Sequence, residues 1–113
     1  MRKMNIERYP EASGLKELDC RSAHGLLMCL DVGLSNSTTA ISMLERIYAN
    51  EADGPTRAVW GAALTDLKRS VPLPEVLVRT GFFGADFDRI FLLCPDHESM
   101  FMTVKRYLDT LYS

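Results

Sequence analysis

Residues 67–83, LKRSVPLPEVLVRTGFF, constrain this chain more than any other stretch. A helical pattern ends in the basic pair Lys68-Arg69, where cations suit the negative end of a helix dipole. Pro72 then breaks the pattern, because it lacks a backbone donor and restricts Val71 before it. Pro74 suits the opening of a second helix, where a missing N–H costs nothing. That helix is short. Leu73, Val76, Leu77 and Thr80 share its inner face, and Gly81 is placed to close it in a left-handed cap. Phe82 and Phe83 follow as anchors. The spacing predicts a tight corner of helix, turn, short helix and aromatic pair, with the rest of the chain packed around it.

Apolar residues elsewhere recur with the helical period. Residues 1–14 carry no period, are punctuated by Pro10 and Gly14, and read as a tail that is mobile or laid across the surface. From Leu15 the pattern becomes helical: Ala23, Leu26, Leu27 and Leu30 follow Cys20, and Gly33 reads as the stop. The capping residues Ser35-Asn36-Ser37-Thr38 place the next start. Ala40, Met43, Leu44, Ile47 and Tyr48 form the cleanest amphipathic stripe in the chain. Residues 50–55 read as a loop, with Pro55 opening a helix whose stripe is Trp60, Ala63, Leu64, Leu67 and Val71. Past the corner, Phe87, Ile90, Phe91 and Cys94 line a fifth segment that begins at residues 84–86. After Pro95-Asp96, Phe101, Val104, Leu108, Leu111 and Tyr112 line a sixth. No segment shows the period-2 alternation of a strand. The prediction is all-α, an antiparallel six-helix bundle over residues 15–113.

At 113 residues the chain is long enough for one core and too short for two. Its net charge of −2 argues against general nucleic-acid binding. Three irregularly spaced cysteines, Cys20, Cys29 and Cys94, suggest a reducing setting, with Cys29 and Cys94 read as small hydrophobes in apolar surroundings. No apolar run reaches the roughly 18 residues of a membrane span, and no signal peptide is legible. As it stands, the chain is expected to be soluble.

Candidate chemistry is sparse. Cys20 and His24 lie four apart on one helical face, as metal ligands would, but two ligands fall short of a site and His97 is distant. Asp86, Asp88, Asp96 and Glu98 are the tempting carboxylates. Without a calcium-loop glycine or a partnered base they read as solvated or as helix-start charges. Ser22 with His24, and the hydroxyls of residues 35–39, lack an orienting group and an oxyanion pocket. Gly61 inside the third helix suggests a close helix–helix contact. Met28, Met43, Met100 and Met102 read as core filler or its rim. The expectation is no catalytic residue, no cofactor and no metal.

The order of motifs is more specific. Residues 26–34, LLMCLDVGL, resemble the "LAxLLxAGLPL" opening of the cytoplasmic domain of the type II secretion F family, the inner-membrane platform proteins of type II secretion and type IV pilus machines. Residues 70–77 fall on the first half of that family's "GxSLSEALxxxxxFP" motif, and Phe83 on its second. Residues 95–101 fall on "GExSGxL". The resemblance spans about residues 15–112. Ser70, Pro95 and Ser99 stand where the family has glycines, Ser35 where it has proline, and Gly84 follows Phe83 where proline is usual. Such divergence suits the type IVb pilus class, that of toxin-coregulated or bundle-forming pili.

The resemblance implies a six-helix antiparallel scaffold that docks the assembly ATPase and other platform proteins and forms a homodimer. Gly33, Leu73, Leu77, Phe83 and Asp96 carry over as architecture. It also implies a location at the cytoplasmic face of the inner membrane, with the native chain continuing past Ser113 into a span of about 20 residues and then a second, weakly similar bundle. Two other classes compete. A soluble helical adaptor or chaperone would show a repeat period of about 34 residues, which is not found. A nucleic-acid-binding regulator would need a basic helix, whereas Arg57, Lys68, Arg69, Lys105 and Arg106 are scattered among acids.

Overall fold

Three polar side chains set the first three helix starts. The Oδ1 atom of Asp19 accepts from the Ser22 N–H at 2.7 Å, Thr39 Oγ1 from the Ser42 N–H at 3.2 Å, and Asp53 Oδ2 from the Thr56 N–H at 3.0 Å. Each satisfies a donor that a helix start leaves without an internal partner. They open α1 (Cys20–Ser35), α2 (Ala40–Asn50) and α3 (Gly54–Lys68), followed by α4 (Leu73–Thr80), α5 (Ala85–Leu93) and α6 (His97–Tyr112). A 3-10 turn, Pro10–Ala12, precedes them. This computed structural model describes residues 7–94 and 97–112, without the side chains of Cys20, Ala85, Asp86, His97, Leu108, Leu111 and Tyr112. Among the described residues there are six helices and no strand, so the protein is all-α.

The corner forms as its punctuation predicts. Ser70 turns the chain at φ 69°, Pro74 lies in the first turn of α4, and Gly81 caps that helix at φ 68°. Leu73, Val76, Leu77 and Thr80 are all buried. The Thr80 hydroxyl donates to the Leu77 carbonyl at 2.6 Å, which allows a polar group to sit there. Phe83 is fully buried against Phe91, ring centroids 5.2 Å apart and nearly perpendicular, while Phe82 packs on Trp60 at 5.1 Å. Edge-on pairs of this kind add to simple burial. The core continues through Leu27, Leu30, Leu44, Val59, Ala63, Phe87, Met100 and Val104.

Four expectations change. Helix α1 begins at Cys20, not Leu15, because the Leu18 N–H is used by the Phe82 carbonyl at 2.8 Å in an extended approach. It also runs through Gly33 to Ser35. Gly33 is a packing glycine: a Cβ there would overlap the side chain of Met43 on α2. The reversal falls instead on Asn36, whose side chain donates to the Val32 carbonyl, and on Ser37 at φ 65°. Helix α2 accordingly starts at Ala40, just beyond the hydroxyl cluster. Cys29 is exposed rather than apolar-buried, since the core face of α1 is Ala23, Leu27 and Leu30. Gly61 does mark a close approach, with the Tyr48 ring 3.1 Å from where its Cβ would lie.

The segment before Gly14 takes the laid-down alternative over its described part. Tyr9 is buried and its N–H donates to the Arg79 carbonyl at 2.8 Å. Residues 7–19 thus form a strap over the corner.

Candidate functional site

Two polar clusters pin the strap. Tyr9 Oη donates to Asp66 Oδ2 at 2.7 Å, and Arg79 Nη1 lies 3.5 Å from the same oxygen. The second nitrogen of Arg79 reaches Glu75 at 3.7 Å. Burial, with the Asp66 hydrogen bond second, pushes the Tyr9 phenol well above its ordinary range, so it stays a donor. Beside it, Arg8 lies between Glu17 at 3.8 Å and Asp88 at 3.9 Å. Burial pushes the Asp88 carboxyl up to about 6 against the pull of Arg8. Asp88 is therefore not the solvated carboxylate that its sequence context suggests. One of its oxygens is buried with no hydrogen-bond partner among the described residues. The geometry of these ion pairs and hydrogen bonds is that of a clamp.

The predicted motif residues divide by place. Leu73, Leu77 and Phe83 meet in the core at the corner. Gly33 sits apart, at the contact of α1 with Met43. Asp96 lies outside the described residues, as do the side chains of Asp86, Cys20 and His97. Among the described residues no group of three or more His, Cys, Asp or Glu could hold a metal ion. The hydroxyl of Thr39 is occupied in capping, and Ser37 in the turn after α1.

A surface feature remains that the sequence does not reveal. Between the C-terminal half of α1 and the first three turns of α6 lies an open groove of about 330 Å³. Leu34, Phe101 and Met102 supply its apolar lining, and Ser35 and Glu98 polar groups. Lys105 crosses it to Asp31 at 2.8 Å. Met102 is 53% exposed, so the expectation of a core-or-rim methionine resolves to the rim, whereas Met100 is fully buried.

No known protein family, curated protein or solved structure matches this chain. Its candidate site therefore rests on geometry. A smaller hollow of about 260 Å³ lies under the strap, lined by Leu15, Leu18, Leu26, Ile47, Trp60 and Phe82. No helix among the described residues is long and apolar enough to cross a membrane. The groove and its exposed apolar rim are the features suited to contact with another macromolecule. Sequence reasoning misses them because α1 and α6 are more than sixty residues apart.

Proposed function

We propose that this chain is a cytoplasmic helical domain of an inner-membrane platform protein of a type IV pilus or type II secretion machine. In this reading it is an antiparallel six-helix bundle without turnover of its own. It docks the assembly ATPase and neighbouring platform proteins and pairs with a second copy of itself. A membrane-spanning segment of the parent protein holds it at the cytoplasmic face. The observation that carries the reading is the corner. It is an eight-residue helix bearing buried Leu73 and Leu77, closed by Gly81 and followed by buried Phe83, on the stretch whose sequence resembles the family's central motif.

The test is co-purification with the assembly ATPase and the other cytoplasmic components of the machine, with sedimentation of the domain alone for self-association. Retention of the ATPase on the immobilised domain is the expected result. A clean negative with every cytoplasmic component would overturn the platform reading in favour of a soluble helical adaptor.

A further inference from the structure

Among the described residues, four large hydrophobic side chains stand exposed: Val32 at 56%, Leu92 at 38%, Leu93 at 78% and Met102 at 53%. Three of them fall in two places: Leu92 and Leu93 form a knob on the last turn of α5, and Met102 lines the α1–α6 groove. Each place has one charged residue without an ion pair among the described residues, and the two signs are opposite. Exposed Arg89 lies three and four residues before the knob leucines, on their side of α5, and exposed Glu98 lines the groove. The other charged pair of the groove, Asp31 and Lys105, is already satisfied.

We propose that knob and groove are the two halves of one self-complementary interface, the Leu92-Leu93 end of α5 in one copy entering the α1–α6 groove of a second. Arg89 then faces Glu98 of the other copy across the rim. Knob and groove are near neighbours: Glu98 follows Leu93 by five positions, so their Cα atoms lie within about 18 Å. A knob and a hole so close, flanking the start of α6, can be related by a two-fold axis. Each copy then gives a knob and receives one, and assembly closes at two instead of running on as a filament. A standard interface takes about 800 Å² of each partner. That is roughly a tenth of the 7180 Å² this chain exposes. Apolar anchors ringed by a complementary charge pair are the usual anatomy of such a contact.

The inference deepens the self-association proposed above and rests on it, but not on the identity of the machine. Sedimentation equilibrium over a concentration series should show the mass rising from 12.7 kDa toward twice that value. Leu93→Asp should weaken the dimer about tenfold or more, by sending a charge into the apolar groove. Arg89→Glu and Glu98→Arg should each weaken it, and the double variant should regain wild-type affinity because the pair is re-formed with its signs exchanged. All three positions are exposed, and a far-UV melt of each variant establishes that it is folded. A dimer indifferent to Leu93→Asp, or a double variant no tighter than the singles, overturns the assigned surface and leaves self-association standing. A monomer at every concentration overturns both, while ATPase co-purification stands or falls by itself.

Discussion

Replacing Asp88 with asparagine should stabilise this protein at neutral pH and lose that gain at pH 4. The carboxyl sits 15% exposed on α5, with one buried oxygen lacking a partner and Arg8 at 3.9 Å as its cation. Burial raises it from the ordinary 3.8 to about 6. The folded protein therefore holds this proton up to about pH 6, while the unfolded chain releases it near 4. Between those values the native state binds more protons, so stability falls as pH climbs through the window and reaches its full deficit above pH 6. The deficit is roughly 3 kcal/mol. Asparagine removes the charge, and the pull of Arg8 is already contained in the value of about 6. Placing its amide in the same site costs about 0–2 kcal/mol. Burial wins, and a net gain of about 1–3 kcal/mol at pH 7.5 follows.

Unfolding entropy of about 2.1 cal/mol/K per residue gives this chain roughly 0.24 kcal/mol/K, so the gain is a rise in Tm of about 4–12 °C. At pH 4 the wild-type carboxyl is largely neutral in the fold, so the gain is lost and the asparagine variant should melt level with wild type or below it. Far-UV circular dichroism melts at pH 4, 5, 6 and 7.5 provide the comparison. An asparagine variant that melts below wild type at pH 7.5, or an offset that does not change with pH, refutes the reasoning and makes Arg8–Asp88 a net stabilising latch.

Leu77→Ala leaves a void in a fully buried site at the corner and should cost about 2–5 kcal/mol, seen as a Tm about 8–20 °C lower. A melt within a degree or two of wild type would refute its placement. Tyr9→Phe removes the donor to Asp66 and should cost about 1.5–3 kcal/mol in urea denaturation, with an unchanged m-value. An unchanged midpoint would mean that the strap is not pinned there.

The corner was legible because its signals are local. Pro72, Pro74 and Gly81 each fix a backbone angle or remove a donor at their own position, whatever lies elsewhere in the fold. Gly33 was misread because a glycine near the end of a pattern serves equally as a cap or as room for a neighbour, and only the Met43 side chain decides between them. Cys29 was misread through its sequence neighbours, Met28 and Leu30, since adjacent residues point about 100° apart on a helix. The strap had no local signal at all. Tyr9 meets Asp66 at a separation of 57 residues, and Asp88 meets Arg8 across most of the chain. The groove is likewise a product of tertiary placement: α1 and α6 each read as ordinary amphipathic helices, and only their approach creates a hollow with Met102 on its rim.

Helix α5 shows why the exposed leucines are not residue left over from the core. Its inward face is filled by Phe87, Phe91 and half-buried Ile90, locked by the edge-on contacts of Phe83 with Phe87 and Phe91 and of Tyr107 with Phe87. Arg89, Leu92 and Leu93 occupy the other side of the same helix, where folding asks nothing of them. A single exposed leucine is unremarkable on any protein surface. An adjacent pair, the second at 78% exposure, is a different observation, because the cluster sits on a helix whose orientation the aromatic contacts fix. A rigid apolar knob loses little conformational freedom on binding, so more of its burial energy is retained in the complex. The same corner that organises the core thereby determines which apolar surface the protein presents outward.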